Sequence, residues 1–149
     1  MPKNRTWAID LIGKADLTGR QRVILGVLDH GTRACLRLVE LKNKSSLSIM
    51  LELVQASRRY GVPAQLRTDN EACLVSRTTR IVLAMLDIRH QRTDLHCPWQ
   101  NGRIERFFGT LKSRLDRIAI VDAQDLRCKL VEFQCWYNAA SAPAWLHAC

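Results

Sequence analysis

The first quarter of the chain has the pattern of three consecutive β-strands before any helix, and this order restricts the available folds. Residues 6–12 form a short, mostly apolar run that is typical of a buried strand. Residues 23–28 are apolar at every position, as in a strand that is buried on both faces. In residues 33–38, Arg33, Cys35 and Arg37 alternate with apolar side chains, which predicts a half-exposed strand. Because only short polar segments separate the three, they predict an antiparallel meander.

A helix is predicted after the meander. Ser45 or Ser46 can cap its amino terminus, and the helix should run to about Tyr60 before Gly61 and Pro63 end it. Its predicted apolar face follows the spacing i, i+3, i+4, i+7. The residues of this face are Leu47, Met50, Leu51 and Val54.

Strand and helix patterns then alternate to about residue 138. We predict a strand at 64–68, a helix at 76–86, a strand at 87–91 and an irregular segment at 93–100. Two helices follow, from about 101 to 117 and from 122. Their apolar stripes are Ile104, Phe107, Phe108, Leu111 and Leu115 in the first, and Leu126, Leu130, Phe133 and Tyr137 in the second. The order predicts one α/β domain over residues 1–149, with a mixed sheet covered by helices and an irregular tail after about 138.

Charge and cysteine content narrow the class of partner. The formal net charge is +9, which favours a polyanion such as nucleic acid, although a generic basic protein would have the same charge. No apolar run approaches the roughly 20 residues of a membrane span, and residues 1–6 lack the apolar core of a signal peptide. We therefore expect a cytoplasmic protein with no membrane partner. The six cysteines form no C-x-x-C pair, and a cluster of Cys73, His90, His96 and Cys97 fits no common zinc spacing, so no zinc is expected.

Three carboxylates have distinctive neighbours. Asp10 lies in Trp-Ala-Ile-Asp-Leu, Asp69 in Arg-Thr-Asp-Asn-Glu, and Glu105 follows Pro-Trp-Gln-Asn-Gly-Arg-Ile; 35 residues separate Asp69 from Glu105. Carboxylate oxygens are the ligands that hard divalent cations prefer. Taken singly, an acid such as Asp10 is more often a satisfied polar group in a strand, and Glu105 is most often part of a solvated helix face. Asp69 alone could form an Asx-turn. Glu71, Asp87 and Asp94 are acids of lower rank nearby.

The spacing and these neighbours resemble the D,D(35)E catalytic core of retroviral integrases and insertion-sequence transposases. The segment 98–112, Pro-Trp-Gln-Asn-Gly-Arg-Ile-Glu-Arg-Phe-Phe-Gly-Thr-Leu-Lys, is closer to the transposases. The resemblance spans about residues 6–138. It implies a ribonuclease-H-like fold with a five-stranded mixed sheet, and DNA cleavage and strand transfer. It also implies two Mg²⁺ or Mn²⁺ ions held by Asp10, Asp69 and Glu105, a bacterial cytoplasmic setting and a homodimer acting on element ends and target DNA.

The same resemblance suggests residues that contact DNA. Lys112 corresponds to a family lysine near the cut site and lies two helical turns after Glu105. The other candidates are Asn70, Asn101, Arg103 and Arg106, for which a solvated surface role is the alternative. Trp99 can stack on a base or lie buried under its own loop.

Two departures from the family leave other functions open. Relatives carry an additional amino-terminal DNA-recognition domain, and they often continue Tyr-Asn with Arg-Pro-His, whereas Asn138 is followed by Ala-Ala-Ser-Ala-Pro. A core fragment, a truncated copy or a frame-altered end would each explain this. The alternatives to a transposase core are a ribonuclease-H-like nuclease and a catalytically inert DNA-binding or assembly remnant.

Overall fold

The computed structural model describes residues 4–69, 72–92 and 102–141, and the predicted order of strands and helices is confirmed there. No helix in these ranges is long and apolar enough to cross a membrane. The strands are β1 (Thr6–Ala15), β2 (Gln21–Asp29), β3 (Cys35–Leu41), β4 (Gln65–Thr68) and β5 (Arg89–Arg92). The helices are α1 (Ser46–Tyr60), α2 (Arg77–Met85), α3 (Gly102–Asp116) and α4 (Ala123–Ser141), and a single 3-10 turn spans Ala72–Leu74.

The described strands form one five-stranded sheet in the order β3-β2-β1-β4-β5. β1, β2 and β3 are joined as an antiparallel meander, while β4 pairs parallel to β1 on one side and to β5 on the other. Each parallel pairing requires a crossover, and the crossovers contain α1 and α2. This is the predicted mixed sheet of the ribonuclease-H-like fold.

Each face of the sheet covers its own apolar core. On one face, Trp7, Leu25 and Leu66 pack with α1 and α2. On the other, α3 and α4 pack against Ala8 and Ile24. Phe107 of α3 meets aromatic rings of α4 edge-on, with centroids 5.6 Å from Phe133 and 4.8 Å from Tyr137. The helices cover the two faces of the sheet and leave the ends of the strands accessible.

The predicted apolar face of α1 is partly wrong. Ser45 caps the helix, because its side chain accepts a hydrogen bond from the backbone N–H of Ser48. Met50 is buried as predicted, but Leu47 and Leu51 are 60% and 55% exposed. The helix instead buries an overlapping stripe that is shifted one position towards the amino terminus. Its members are Ile49, Met50, Leu53, Ala56 and Ser57.

The half-exposed pattern predicted for the third strand is also wrong. Cys35, Leu36 and Leu38 are all buried, and Arg37 is half-buried. The register of β3 on β2 shifts next to Val27 and Leu28, which breaks the simple alternation of faces. Helix α4 covers this strand and continues to Ser141, three residues beyond the predicted end of the regular structure. The single-domain boundary stays a prediction, and the predicted tail from residue 142 lies outside the described residues.

Candidate functional site

Asp10 of β1 and Asp69, the residue directly after β4, have the same offset from the parallel pairing of these two strands. The pairing of β1 with β4 is Thr6 with Gln65, Trp7 with Leu66 and Ala8 with Arg67. Asp10 is two residues beyond Ala8, and Asp69 is two residues beyond Arg67. Continuing the same register by two residues would bring the two half-buried acids opposite each other, where neighbouring strands are about 4.8 Å apart. Carboxyl ends of parallel strands are the usual position of ligand sites in sheets of this kind.

Gly26 determines how α3 approaches Asp10. Gly26 is the Cα partner of Asp10 on β2, and the ring of Phe108 occupies the space that a side chain would need there. Phe108 is 5% exposed and belongs to the core on this face. Ala8 belongs to the same core, so the alternation of strand side chains directs Asp10 to the α3 face as well.

Glu105 lies in the first turn of α3, three residues before Phe108. Side chains three apart on a helix are neighbours, so the packing of Phe108 on Gly26 brings this turn towards Asp10. Its carboxylate is exposed. Negative charge in the first helical turn is favoured by the helix dipole.

A complete metal site is not assembled in the described part of the chain. Across residues 4–69, 72–92 and 102–141, no three His, Cys, Asp or Glu side chains are grouped so that they could hold one ion. Asp10 Oδ1 accepts the backbone N–H of Leu11 at 2.8 Å. The topology thus aligns two of the three predicted ligands and places the third on the adjoining helix, and the ligand set itself stays a prediction.

Two of the predicted DNA contacts have described side chains, and both are exposed on α3. Lys112 and Arg106 lie on the helix that carries Glu105. Asn70 and Asn101 lie outside the described residues, as do Glu71, Asp94, His96 and Trp99. Arg103 is within α3, but its side chain is not among those described.

Two residues next to Asp69 in the fold were not predicted from the sequence. Thr68, immediately before it, is 1% exposed, and its hydroxyl lies 2.7 Å from Nε2 of His90 on β5. The same hydroxyl contacts the carbonyl oxygen of Asp69 at 3.0 Å. Gly26 was also missed, although an isolated glycine within an apolar strand is a signal for close approach of another element. The pairing of His90 with Thr68 has no such signal, because it depends on strand order.

A groove of about 690 Å³ contains none of the three acids. Residues of β2, β3 and the beginning of α4 line it, among them Arg20, Lys42 and Arg127. Its position along β3 separates it from the β1–β4 strand ends. Cavity size therefore does not identify the candidate site; strand register does.

Comparison with protein families finds a match in the carboxyl-terminal part of the chain. Residues 86–141 match a family model described as integrase core domain, which is less than half of the chain. The matched range begins before β5 and includes Glu105, α3 and α4. It does not include Asp10 or Asp69.

Solved integrase structures share the fold. A chain of the simian T-cell lymphotropic virus intasome, determined in complex with PP2A regulatory subunit B56 gamma, is 23% identical with a TM-score of 0.67, over 74% of this chain and 39% of that chain. The HTLV-2 integrase catalytic core domain, in complex with magnesium in a trimeric form, is 20% identical with a TM-score of 0.63, over 76% and 70%. The catalytic core domain of BIV integrase is 20% identical with a TM-score of 0.61, over 76% and 70%.

These comparisons confirm the predicted resemblance to integrase cores and the ribonuclease-H-like fold. The chain spans about two fifths of the length of the intasome chain that it matches.

Proposed function

We propose that this chain is the catalytic core of a DNA transposase or integrase, which cuts DNA strands and joins them to a target. The observation that carries the proposal is the equal offset of Asp10 and Asp69 beyond the last paired residues of β1 and β4. The position of Glu105 on the helix packed over Gly26 also supports the three-carboxylate site that the sequence resemblance implies. The integrase-core match over residues 86–141 supports the same assignment.

The donor chemistry suits Mg²⁺ or Mn²⁺. Asp10, Asp69 and Glu105 offer only carboxylate oxygens, and neither thiol nor imidazole belongs to the set. The alignment of Asp10 with Asp69 fits ligands shared by one ion, and Glu105 would complete the set from α3. When bound, two such ions would stabilise the attacking and leaving oxygens of an in-line displacement at phosphorus.

Helix α3 would supply both the third ligand and the DNA contacts. Phe108 fixes the helix against β2, so Glu105 is attached to a rigid element rather than to a loop. The exposed Lys112 and Arg106 would bind phosphates, with Asn70, Asn101 and Arg103 as further candidate contacts. Neutralising phosphates with these cations predicts binding that weakens steeply as salt rises.

The proposal is tested by a cleavage and strand-transfer assay on labelled DNA with Mg²⁺ or Mn²⁺. Asp10→Asn and Glu105→Gln should lose both activities by at least roughly a hundredfold while keeping the fold. Asp116→Asn, at the other end of α3, and Glu132→Gln, on α4, are exposed acids that serve as matched controls and should retain activity.

Other outcomes would replace the proposal. Retained activity in Asp10→Asn would contradict the assigned site. Hydrolysis of RNA–DNA hybrids without strand transfer would instead indicate a nuclease, and tight DNA binding without metal-dependent turnover would indicate an inert remnant.

We also propose that the chain forms a homodimer and acts on DNA in the bacterial cytoplasm. The HTLV-2 integrase core is described in dimeric and trimeric forms. Three of the described helices expose large apolar side chains. They are Leu47 and Leu51 on α1, Ile81 and Met85 on α2, and Val131 and Trp136 on α4. Sedimentation equilibrium should give twice the mass of the chain, and a monomer at all concentrations would contradict the dimer. Fractionation of expressing cells would test the compartment.

A further inference from the structure

We propose that Thr68 and His90 form a positioning pair that fixes Asp69 at the end of β4; the role in metal binding rests on the proposed function. The Thr68 hydroxyl contacts two groups, Nε2 of His90 at 2.7 Å and the carbonyl oxygen of Asp69 at 3.0 Å. Thr68 is the last residue of β4, and His90 lies on β5. The pair therefore connects the edge strand β5 to the backbone of the candidate ligand.

Asp69 directly follows the paired part of β4. The ladder with β1 ends at the pair of Ala8 with Arg67, and the ladder with β5 ends at Thr68 with Arg92. Asp69 is therefore the first residue past both ladders, directly after the end of β4. A buried hydroxyl that bonds its carbonyl oxygen supplies a local restraint of the kind that the ladder gives elsewhere.

The two contacts of the hydroxyl are compatible in one arrangement of protons. A hydroxyl has a single hydrogen to donate, and an acceptor carbonyl can only receive it. When Thr68 donates to Asp69, its oxygen must accept from His90, which requires hydrogen on Nε2. The Cα partner of His90 is Leu66, two residues before Thr68 on the same strand face, so the imidazole reaches the hydroxyl diagonally between neighbouring strands.

A second set of hydroxyl contacts holds the chain after Asp69. The carbonyl oxygen of Cys73, in the 3-10 turn, accepts from the hydroxyl of Ser46 at 2.8 Å and from that of Thr79 at 3.0 Å. These donors belong to the first residue of α1 and to α2. The turn is therefore attached to two helices, and Thr68 with His90 provides the attachment on the other side of Asp69.

The experiment compares Thr68→Val with Thr6→Val, which makes the same substitution at another buried strand threonine. Thr6 accepts a hydrogen bond from Gln65 at 2.8 Å, at the opposite end of β4. Thr68→Ser keeps the hydroxyl and should restore wild-type behaviour. His90→Leu removes the donor nitrogen, whereas His90→Gln keeps an N–H donor, so this second pair of variants remains informative if Thr68→Val does not fold.

Two measurements decide the proposal. In the metal-free protein, hydrogen exchange near Asp69 should speed up at least about tenfold in Thr68→Val and in His90→Leu, but not in Thr6→Val. Mn²⁺ affinity, followed by electron paramagnetic resonance, should fall by about 10- to 100-fold in the same two variants. On DNA, kcat should fall with KM little changed.

Equal behaviour of Thr68→Val and Thr6→Val in both measurements would overturn the pair. A wild-type protein that neither binds Mn²⁺ nor cuts DNA would instead overturn the proposed function. The exchange result would still decide, in that case, whether Thr68 and His90 hold Asp69.

Discussion

The side-chain amide of Asn138 forms two hydrogen bonds with the backbone of Cys35. Asn138 Oδ1 accepts the Cys35 N–H at 2.8 Å, and Asn138 Nδ2 donates to the Cys35 carbonyl oxygen at 2.9 Å. The amide group therefore satisfies both backbone groups of an edge-strand residue, as a neighbouring strand would. Gln134, one turn earlier on α4, donates to the same carbonyl at 3.0 Å.

Replacing Asn138 by alanine should destabilise the fold by about 1–3 kcal/mol, because the buried N–H of Cys35 loses its acceptor. Gln134→Ala should cost less, since the Cys35 carbonyl keeps its bond from Asn138. Denaturant unfolding of the two variants measures the difference. A loss in Gln134→Ala as large as that in Asn138→Ala would show that the N–H bond contributes little.

Gly26→Ala should destabilise the protein by about 1–3 kcal/mol through overpacking. The new methyl group would meet the ring of Phe108, which occupies that space. Pairing the substitution with Phe108→Leu should recover part of the loss, because the smaller side chain leaves room. Thermal unfolding of Gly26→Ala, Phe108→Leu and the double variant measures the three changes in stability.

Gly109→Ala is the matched control for this substitution. Gly109 lies in α3, and an added Cβ there meets nothing within 4 Å. Alanine should stabilise the helix by up to about 1 kcal/mol. Destabilisation by both alanines would mean that glycine itself, and not the approach of Phe108, is required.

The contribution of Asp16 to the free energy of unfolding should depend on pH. Its side chain accepts hydrogen bonds from the Thr18 hydroxyl, from Nε of Arg22 at 2.9 Å, and from the backbone N–H groups of Thr18 and Arg20. Chiefly through Thr18, and then Arg22, these donors lower the pKa of Asp16 from 3.8 to about 2. These hydrogen bonds stabilise the ionised carboxylate in the folded state, and the unfolded chain lacks them.

Because the folded pKa lies below the unfolded one, this contribution is complete above about pH 4 and is lost as pH falls towards 2. Wild type should therefore be more stable than Asp16→Asn at pH 7, and the gap should narrow between pH 4 and 2. Unfolding measured across this range, with exposed Asp116→Asn as the control for lost charge, tests it. If the difference in unfolding free energy between wild type and Asp16→Asn stays constant down to pH 2, the pKa of Asp16 is not lowered in the folded state.

Leu51 and Leu53 provide a direct test of which face of α1 is buried. Leu53 is 0% exposed, so its replacement by alanine should cost about 2–5 kcal/mol. Leu51 is 55% exposed, and its replacement by alanine should change the unfolding free energy by less than about 0.5 kcal/mol. Comparable losses in both variants, measured at a dilution where the protein is monomeric, would instead indicate that the buried face is the one predicted from sequence.

The same helix shows why element order could be predicted and packing could not. Helical periodicity is a local property, and it correctly placed α1 from Ser46 to Tyr60. Two apolar stripes overlap on its surface, however, and the spacing of Leu47 and Leu51 suits a helix as well as that of Ile49 and Leu53. The sheet decides between them, and the sheet is assembled from strands far apart in sequence.

The packing of strand β3 and the geometry of the candidate site likewise could not be predicted from local sequence. Cys35 was assigned to an exposed face because nothing near it in sequence indicates that Asn138, 103 residues later, covers it. Asp10, Asp69 and Glu105 were selected from their neighbours and spacing alone. Their relation in space depends on the β1–β4 register and on Phe108 entering the space over Gly26, which local sequence does not encode.

Strand β4 has only four residues, Gln65–Thr68. The geometry of the site therefore depends on the exact number of residues in this strand. Side chains of a strand alternate between faces, so inserting or deleting one residue between Gln65 and Asp69 would turn Asp69 towards α1 and α2. The apolar pairing of Trp7 with Leu66 would resist that slip, since the core on that face depends on it. Length changes in this segment should therefore abolish the site even when the fold survives. Length changes at the exposed Gly19 of the β1–β2 turn should instead cost the hydrogen bonds of Asp16 but leave the site in place.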